Sequence, residues 1–366
     1  MSQKTPLYDE HLDAGGRMVE FAGWQLPIRY GSLVEEHRAV RERAGMFDVS
    51  HMTVVDIEGP GARDALRRLL ANDVDKIRER GQAIYGCMLD ENGGVIDDLI
   101  TYRLEDDFYR MVVNAATRAA DLEWIGRQLE DFDARVTERD DLAMIAVQGP
   151  EAVEHVVDLL GAPGVVELKP FRSLVHGDFF IARTGYTGED GCEIILPNES
   201  APETWRQLRE RGVVPCGLGA RDSLRLEAGL NLYGQDMDLE TTPLESNLAW
   251  TVAFEPDDRN FIGRAALERQ KSEGVPRKLV GLVLSTGGIP RQGARVVTGA
   301  GDGVVTSGGF GPTVERPVAV ARIPASAGDE VKVELRGRRL PARVVKPPFV
   351  RNGKPRVGVL DESASE

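Results

Sequence analysis

The chain has 366 residues, of which 42% are hydrophobic and 28% are charged, and its formal net charge is −14. These proportions exclude a disordered or fibrous protein and favour a globular one. Because single hydrophobic cores stop growing at about 250–300 residues, the length predicts two or three packed units. The negative charge argues against nucleic acid as the main partner, since nonspecific nucleic-acid binding relies on many Lys and Arg contacts to phosphates.

The N-terminal segment MSQKTPLYDEHLDAGG carries charges where a signal peptide needs an apolar stretch, and no run of about 20 apolar residues occurs in the sequence. These features predict a soluble cytoplasmic protein without membrane contact. The cysteines, Cys87, Cys192 and Cys216, are far apart and have no CxxC spacing. The sequence therefore predicts neither a disulfide framework nor a metal site.

The first part of the chain shows a helical pattern, then a strand pattern, then a second helical pattern. Residues 32–45 are predicted to form a helix, with Ser32 and Glu35 as a capping box and Gly45 as the C-terminal stop. The next stretch, HMTVVDIEGPGARDALRRLL, predicts a strand, a Pro-Gly break and an amphipathic helix.

The middle of the chain predicts a hairpin followed by alternating helices and strands. Asn92 and Gly93 lie between two apolar runs, which indicates a β-hairpin that presents Asp97 and Asp98 just after its turn. The strands MIAVQG and DFFIARTGYTG follow, but no regular βαβ alternation emerges, so the pattern favours an α+β fold over a doubly wound sheet. Further helices are predicted at residues 117–129, 151–160, 201–211 and 223–230.

The polar segment QKSEGVPRK, residues 270–278, is the best candidate for a linker between domains. Beyond it, short β-branched runs separated by Gly and Pro turns predict a small barrel or sandwich. Within this region, residues 332–356 contain nine basic residues and one acid, Glu334. Two interpretations of that stretch stay open: a basic binding surface, or a solvated edge strand whose charges prevent edge pairing.

Asp97 and Asp98 lie inside the apolar run GGVIDDLITY, where carboxylates are costly to bury. In a strand, Asp98 shares a face with Ile100 and Tyr102, while Asp97 shares the other face with Leu99. The carboxylates could bind backbone amides near the turn. Alternatively, one of them points into a pocket, where desolvation would raise its pKa and prepare it to handle a proton.

Two more charged positions stand out later in the chain. Glu193 follows the glycine-rich segment RTGYTGEDGC and precedes an apolar strand, so its carboxylate must be satisfied or functional. It could accept two parallel hydrogen bonds from an amino-pyrimidine edge. Arg221 and Asp222 stand at the start of a helix behind another glycine run. That arrangement favours an anion or a carbonyl, but it is also compatible with an ordinary Arg-Asp pair.

Six segments carry a specific resemblance. FAGWQLPIRYGS, AGMFDVSHM, GGVIDDLITY, TGYTGEDGCE, CGLGARDSLRLEAGLNLYGQDMD and KPPFVRNGK are similar, in this order, to successive signatures of the glycine-cleavage aminomethyltransferase family. The resemblance spans nearly the whole chain. It implies a multidomain α+β folate-binding aminomethyltransferase fold with a small C-terminal β-barrel domain. The expected domains are residues 1–270, a folate-binding region of two interleaved subdomains, and residues 277–366, the barrel.

The resemblance also implies roles for individual residues. Asp98, the second Asp of the IDDL run, matches the catalytic carboxylate of the family. Glu193 matches the residue that grips the pteridine ring, and Arg221 matches an arginine that lines the folate site. Some members have a Tyr after the PFV motif, where this chain has RNGK. Four further residues fall where the family lines its pocket: Asn114, Tyr85, Tyr102 and Tyr186.

The implied reaction transfers a one-carbon unit from an aminomethyl group on the lipoyl arm of H-protein to tetrahydrofolate, the co-substrate. The products are 5,10-methylenetetrahydrofolate, ammonia and dihydrolipoyl H-protein. No redox change occurs, in agreement with the lack of a GxGxxG fingerprint in the sequence. The basic stretch at residues 332–356 is a candidate contact for an acidic carrier such as H-protein.

Two relatives on the same scaffold offer other functions. One is a folate-binding protein that assists iron-sulfur enzymes and carries a Lys-Gly-Cys signature, where this chain has Pro215, Cys216 and Gly217. The other is a demethylating flavoenzyme, in which this module is fused to an oxidase domain that 366 residues cannot accommodate. Both are weaker expectations than the aminomethyltransferase.

Overall fold

The structure is a computed structural model that describes residues 2–285, 288–356 and 358–360. Within those residues the chain forms eight α-helices and twenty-two strands. The helices are α1 (Tyr8–Asp13), α2 (Leu33–Glu42), α3 (Ala62–Leu69), α4 (Arg118–Leu129), α5 (Ala152–Leu160), α6 (Ala201–Glu210), α7 (Leu218–Glu227) and α8 (Arg264–Glu273).

The strands of the first two thirds of the chain form three sheets. They are β1 (Gln3–Lys4), β2 (Arg17–Phe21), β3 (Trp24–Arg29), β4 (Gly45–Asp48), β5 (Thr53–Glu58), β6 (Ala83–Leu89), β7 (Val95–Glu105), β8 (Phe108–Val113), β9 (Arg135–Glu138), β10 (Leu142–Gln148), β11 (Ser173–His176), β12 (Phe179–Ala182), β13 (Gly191–Pro197) and β14 (Val214–Pro215). Their orders are β1-β3-β2, β6-β7-β8-β5-β9 and β11-β12-β13-β10-β4-β14.

The remaining strands build the C-terminal part. They are β15 (Arg277–Leu284), β16 (Arg295–Thr298), β17 (Gly301–Gly311), β18 (Arg316–Pro324), β19 (Glu330–Leu335), β20 (Arg338–Val345), β21 (Val350–Arg351) and β22 (Lys354–Pro355). The first six close into a barrel in the order β15-β18-β17-β16-β19-β20, and the last two form a hairpin. The predicted α+β fold with a C-terminal barrel is confirmed.

The two larger sheets lie face to face, with helices on their outer sides. On α3, Ala62, Ala65, Leu66 and Leu69 are buried, a spacing that puts one apolar face against the five-stranded sheet. Helices α5 and α6 cover the six-stranded sheet in the same way. Between the sheets, Tyr102 meets Phe180 edge to face, with ring centroids 5.0 Å apart. The arrangement is helix, sheet, sheet, helix.

Several local predictions hold, and others fail for identifiable reasons. The strand and helix predicted after residue 51 are β5 and α3. Helix α2 ends at Glu42, however, and Gly45 begins β4 instead of stopping the helix. Ser32 makes no side-chain capping bond. The capping carboxylate is Glu36, which accepts the N–H groups of Tyr30 and Gly31 and also that of Gly217, far along the chain.

The hairpin predicted at Asn92 and Gly93 exists, but its connection has five residues, 90–94, between β6 and β7. The Asp90 carboxylate accepts the N–H groups of Asn92 and Gly94 and so stabilises the turn. The helix predicted at residues 223–230 begins earlier, at Leu218. The predicted linker is largely regular structure, since α8 extends to Glu273 and β15 begins at Arg277. The division into domains at 1–270 and 277–366 stays a prediction.

The basic stretch at residues 332–356 lies mainly on strands β19 and β20. Each of these strands pairs with a neighbour on both sides inside the closed barrel, so neither is an edge strand. The interpretation as a charged edge is therefore wrong for β19 and β20. Arg343 is half-buried, and the other eight basic residues of the stretch are exposed.

None of the helices in the described part of the chain is long and apolar enough to cross a membrane. Cys87, Cys192 and Cys216 are buried free thiols.

Helix α7 is tied to the barrel and to α2 through the buried carboxylate of Glu227. This carboxylate accepts hydrogen bonds from Arg41 Nη2 at 3.0 Å and from the backbone N–H of Thr313, in the β17–β18 turn, at 2.7 Å. His37 Nε2 lies 3.2 Å away. Desolvation favours the protonated form, but the bonds from His37 and Thr313 and the charge of Arg41 outweigh it and lower the pKa of Glu227 to about 2.

The same cluster reaches the C-terminal hairpin. Arg41 Nη1 donates to Glu189 at 2.7 Å, and the Glu189 carboxylate also accepts the N–H of Gly353 at 2.7 Å. The backbone N–H of Phe349 donates to the carbonyl of Glu227. One set of buried charges thus joins α2, α7, the barrel and the last hairpin.

We predict that Glu227→Gln lowers the free energy of unfolding by about 3 kcal/mol at pH 7.5, because the ionised carboxylate is stabilised relative to the unfolded chain. A lowered carboxyl pKa contributes stability that is present above the unfolded value near 4.5 and is lost as pH falls towards 2. The difference between wild type and variant in urea unfolding should therefore be constant from pH 8 to about 5 and shrink below it.

Glu334→Gln is the matched control for this measurement. Glu334 lies near Arg295 and Arg339 on the barrel surface, where ion pairs contribute little. We expect it to change the free energy of unfolding by less than about 1 kcal/mol. Equal losses for the two variants would contradict the role given to Glu227.

Candidate active site

Adjacent carboxylates on β7 point to opposite faces of the five-stranded sheet. Asp97 pairs with Met88 and Asp98 with Cys87 across the β6–β7 hairpin. Because side chains alternate along a strand, Asp98 faces the space between the two sheets and Asp97 faces helix α4. Asp97 is fully buried, whereas Asp98 is partly accessible. The second of the two interpretations, a carboxyl group facing a pocket, therefore fits Asp98.

The carboxyl group of Asp98 is held by two donors. The Tyr85 hydroxyl donates to Oδ2 at 2.8 Å, and Asn114 Nδ2 donates to Oδ1 at 3.0 Å. Burial, followed by the charge of Asp97, raises the pKa of Asp98 to about 7, although these two hydrogen bonds act in the opposite direction. Near neutral pH, Asp98 can therefore exchange a proton at little cost.

Glu193 lies on β13 and is almost fully buried. Its Oε2 accepts a hydrogen bond from the Thr184 hydroxyl at 2.6 Å, and Thr184 is in turn 3.1 Å from the Tyr102 hydroxyl. Burial raises the pKa of Glu193, while Thr184 and the charge of Arg221 lower it. Carboxylate oxygens can accept more bonds than Thr184 supplies, so capacity is left for a ligand with adjacent N–H groups.

Arg221 lies in the first turn of α7, next to Tyr186. The guanidinium carbon is 4.8 Å from the centroid of the Tyr186 ring. Arg221 Nη1 is a buried donor without a hydrogen-bond partner among the described residues. An unpaired buried donor of this kind costs about 1–3 kcal/mol, so the arrangement suits a ligand that supplies an acceptor.

The loop that carries Tyr186 is fixed by Gln148 at the end of β10. Gln148 Nε2 donates to the Thr184 carbonyl at 3.0 Å, and its Oε1 accepts from the Thr187 hydroxyl at 2.8 Å. A Cβ at Gly185 would overlap the end of the Gln148 side chain, so a larger residue there would displace Gln148 from its hydrogen bonds. The Tyr186 hydroxyl donates to the Asn231 carbonyl.

All seven predicted site residues fall in one connected group. Asn114, Asp98 and Tyr85 are hydrogen-bonded together. Tyr186 lies near both sides of the group, since its ring is 4.8 Å from the Arg221 guanidinium carbon and the charge of Asp98 acts on its hydroxyl group. The Arg221 charge in turn acts on Glu193. Tyr102 is fully buried, so it supports Thr184 and Glu193 and does not line an open pocket. The functional roles of the seven residues stay predictions.

The structure adds three residues that were not predicted. Thr184 holds Glu193, as described above. His51 is buried, its Nδ1 has no partner among the described residues, and burial and the Arg221 charge lower its pKa to about 4. Trp250 is 66% exposed and stacks on Tyr85, with ring centroids 5.9 Å apart. His51 belongs to the AGMFDVSHM segment, which could have indicated it, whereas no sequence pattern placed Trp250 beside Tyr85.

The described residues contain no group of three or more His, Cys, Asp or Glu side chains suited to a metal ion. Two surface cavities lie away from the seven residues. One, of about 620 Å³, is beside α2 and is lined by Glu35, Arg38 and Arg209, among others. The other, of about 550 Å³, lies on the barrel and is lined in part by Lys332 and Arg339.

Comparison with known proteins gives consistent matches along the chain. The family model described as GCVT N-terminal domain matches residues 7–256, and the one described as Glycine cleavage T-protein C-terminal barrel domain matches residues 277–351. A curated relative from Methylococcus capsulatus, named Aminomethyltransferase, is 56% identical over 352 residues, which cover 96% of this chain and 98% of the relative. One of the same name from Legionella pneumophila (strain Corby) is 54% identical and covers 97% and 100%.

A solved structure is also similar over nearly its whole length. The crystal structure of glycine cleavage system aminomethyltransferase T from Bartonella henselae superposes with a TM-score of 0.91 at 38% sequence identity. The match covers 96% of this chain and 99% of the other.

Tyr85→Phe tests the electrostatics of Asp98. The variant keeps the ring stacked on Trp250 but removes the hydroxyl that stabilises the Asp98 carboxylate. We expect the titration midpoint of Asp98, followed by carboxyl ¹³C NMR, to rise from near 7 by about one pH unit. Tyr8→Phe, whose ring lies beneath Lys4, is the control and should leave the midpoint in place. A midpoint that falls in Tyr85→Phe would refute the assigned hydrogen bond.

Proposed function

The chain belongs to the family of glycine cleavage T-proteins, the aminomethyltransferases of the glycine cleavage system, and from this we propose its substrates and the roles of its site residues. The donor is an aminomethyl group carried by a thioether on the lipoyl arm of H-protein. The acceptor is tetrahydrofolate, bound as a co-substrate. The observation that carries the proposal is the partly accessible Asp98 carboxyl group, with a pKa raised to about 7, in one connected group with Glu193 and Arg221.

The reaction balances without an oxidant or a reductant. The C–N bond to the amine breaks and ammonia leaves, the C–S bond to the lipoyl sulfur breaks, and the carbon forms two new C–N bonds to tetrahydrofolate. The sulfur leaves as a thiol, so dihydrolipoyl H-protein and 5,10-methylenetetrahydrofolate are the products. No step needs a metal ion or an electron carrier.

Asp98 acts at the carbon that loses its leaving group and then bonds to the folate nitrogen. A carboxylate beside the reacting carbon stabilises the iminium-like cation that forms as a leaving group departs, because opposite charges attract strongly in a partly desolvated site. The same carboxylate orients the folate nitrogen that attacks this carbon. Tyr85 and Asn114 fix the orientation of both carboxylate oxygens by direct hydrogen bonds.

Glu193 and Arg221 bind the folate ring. Glu193 accepts hydrogen bonds from the amino-pyrimidine edge of the pteridine, and the unpaired Nη1 donor of Arg221 suits a ring oxygen or nitrogen acceptor. Tyr186 packs beneath the Arg221 guanidinium and keeps it in place. Tyr102 acts one step further away, through Thr184.

The partner that delivers the lipoyl arm is H-protein, and the exposed basic residues on β19, β20 and the C-terminal hairpin are the candidate contact for this acidic carrier. We also propose that the enzyme acts in the cytoplasm. The alternative function, a folate-binding protein that assists iron-sulfur enzymes, is not favoured, since the curated relatives named here are aminomethyltransferases.

A purified assay tests the reaction and the role of Asp98 together. With lipoylated aminomethyl-H-protein and tetrahydrofolate, the wild type should release ammonia and form methylenetetrahydrofolate in equal amounts. Asp98→Asn keeps the shape and removes the charge, so kcat should fall by about a hundred- to a thousand-fold. Asp106→Asn, at an exposed turn, should retain normal turnover. Near-normal turnover by Asp98→Asn would eliminate the charge-based roles, and wild-type folate binding without turnover would overturn the proposed reaction.

Glu193→Gln tests folate binding. Its amide presents an N–H donor where a carboxylate oxygen accepted, so the Kd for tetrahydrofolate, measured by fluorescence titration, should rise by about ten- to a hundred-fold. Glu199→Gln, on the exposed segment after β13, is the control and should bind as the wild type does. If Glu193→Gln binds as tightly as the wild type, the pteridine assignment fails.

A further inference from the structure

Asp97 is a fully buried carboxyl group for which the proposed reaction has no direct use. Both of its oxygens accept hydrogen bonds from Asn114: Oδ2 from the backbone N–H at 2.9 Å and Oδ1 from Nδ2 at 2.8 Å. The same Asn114 amide also donates to Asp98. Asp97 therefore sets the orientation of the residue that holds the candidate catalytic carboxylate.

A second buried carboxyl group faces Asp97 from helix α4. Asp121, Ile125 and Leu129 are the buried residues of that helix, and their four-residue spacing places them on the one face that packs on the five-stranded sheet. The carboxyl groups of Asp121 and Asp97 lie within hydrogen-bonding distance of each other. Asp121 thus occupies a position in the core where a hydrophobic residue would be expected.

Neither oxygen of Asp121 is bonded to an N–H or hydroxyl donor of the described residues. The Thr117 hydroxyl is close enough to lower the pKa of Asp121, but it donates its proton to the Asn114 carbonyl at 3.0 Å. Two ionised carboxylates in contact, one of them without donors, would be very costly in an apolar core. Two carboxyl groups that share one proton avoid this cost, because one then donates to the other.

The electrostatic environment favours the same arrangement. Burial is the largest influence on both carboxyl groups and raises the pKa of each, which favours one proton retained by the pair. Other titratable groups near the pair are Asp98 on the same strand, Cys87 on β6 and Tyr233 from the segment after α7. Cys87 and Tyr233 are neutral because burial raises the pKa of each, and an ionised Asp98 opposes a second negative charge on the pair.

We propose that Asp121 is a positioning residue for the reaction: it keeps a proton, donates it to Asp97, and so allows Asp97 to remain the double acceptor that orients Asn114 towards Asp98. The proton belongs on Asp121 because Asp97 already accepts two N–H bonds and is the better-stabilised anion. The pair then carries one negative charge. Asp97 shares a proton with Asp121 and not with Asp98.

Infrared spectroscopy tests the shared proton without any turnover. With ¹³C-labelled aspartate at pH 8.5, Asp98→Asn should still show the C=O band of a protonated aspartic acid, although Asp98 itself is absent. The double variant Asp98→Asn/Asp121→Asn should lose that band, while its carboxylate bands keep the Asp97 contribution. The proposal would be overturned if the difference spectrum between these two variants showed the loss of a carboxylate band, or no change in any band.

The pH profile of kcat provides the second test, which rests on the proposed aminomethyl transfer. In Asp121→Asn the amide donates to Asp97 as the protonated acid does, and the charge of the pair is unchanged. The midpoint set by Asp98 should therefore stay within about 0.3 pH units of the wild type. If Asp121 were ionised, its replacement would remove a negative charge and lower the midpoint by about one pH unit or more.

Two further variants separate positioning from folding. Asp121→Leu cannot donate, and we expect kcat to fall about tenfold or more with an unchanged KM for tetrahydrofolate, whereas Asp121→Asn should recover most of that loss. Asp97→Asn faces Asn114 with a donor and should lower kcat in the same way.

If the wild type itself does not turn over, the proposed function fails, but the infrared result still decides whether the proton is shared. Equal losses for Asp121→Leu and Asp121→Asn would contradict the positioning role.

Discussion

Burial of two consecutive carboxyl groups in one strand is the constraint on which the centre of this protein depends. Strand alternation sends Asp97 towards the helix layer and Asp98 towards the space between the sheets, so each side of the sheet must compensate one charge. Asn114 serves both sides, because its single side-chain amide reaches both carboxyl groups. Asn114, which directly follows β8, thereby couples the two faces of the sheet.

The six motifs were sufficient to predict the fold class, the C-terminal barrel and the family, because they follow one another in the family's order along nearly the whole chain. Local patterns were also sufficient for α3, α4, α5 and the β6–β7 hairpin, where the apolar periodicity is regular. Local patterns failed where a residue's hydrogen-bond partner is distant in sequence. The cap of α2 depends on Glu36, which also binds the backbone of Gly217, and no local signal distinguishes it from Glu35.

The same limit applies to the candidate site. Residue patterns could place Asp98 near a turn and between apolar neighbours, but its preference over Asp97 came from the resemblance, and the structure supplies the physical difference as accessibility and hydrogen-bond partners. Thr184, Trp250 and Asp121 meet the site only through tertiary contacts. Asp121 in particular looks like a common acidic residue in the first turn of a helix, which hides the fact that it faces the core.

The hydrogen bond from Gly353 to Glu189 has a consequence for how the enzyme is made. The two N-terminal sheets leave the ribosome early and can begin to fold as units. The TGYTG loop and helix α7, however, gain their last partners only from the barrel turn at Thr313 and the hairpin at Gly353. This side of the candidate site is therefore completed at the end of translation. A prematurely terminated chain would lack those partners, and the Glu227 and Glu189 carboxylates would each lose one backbone N–H donor.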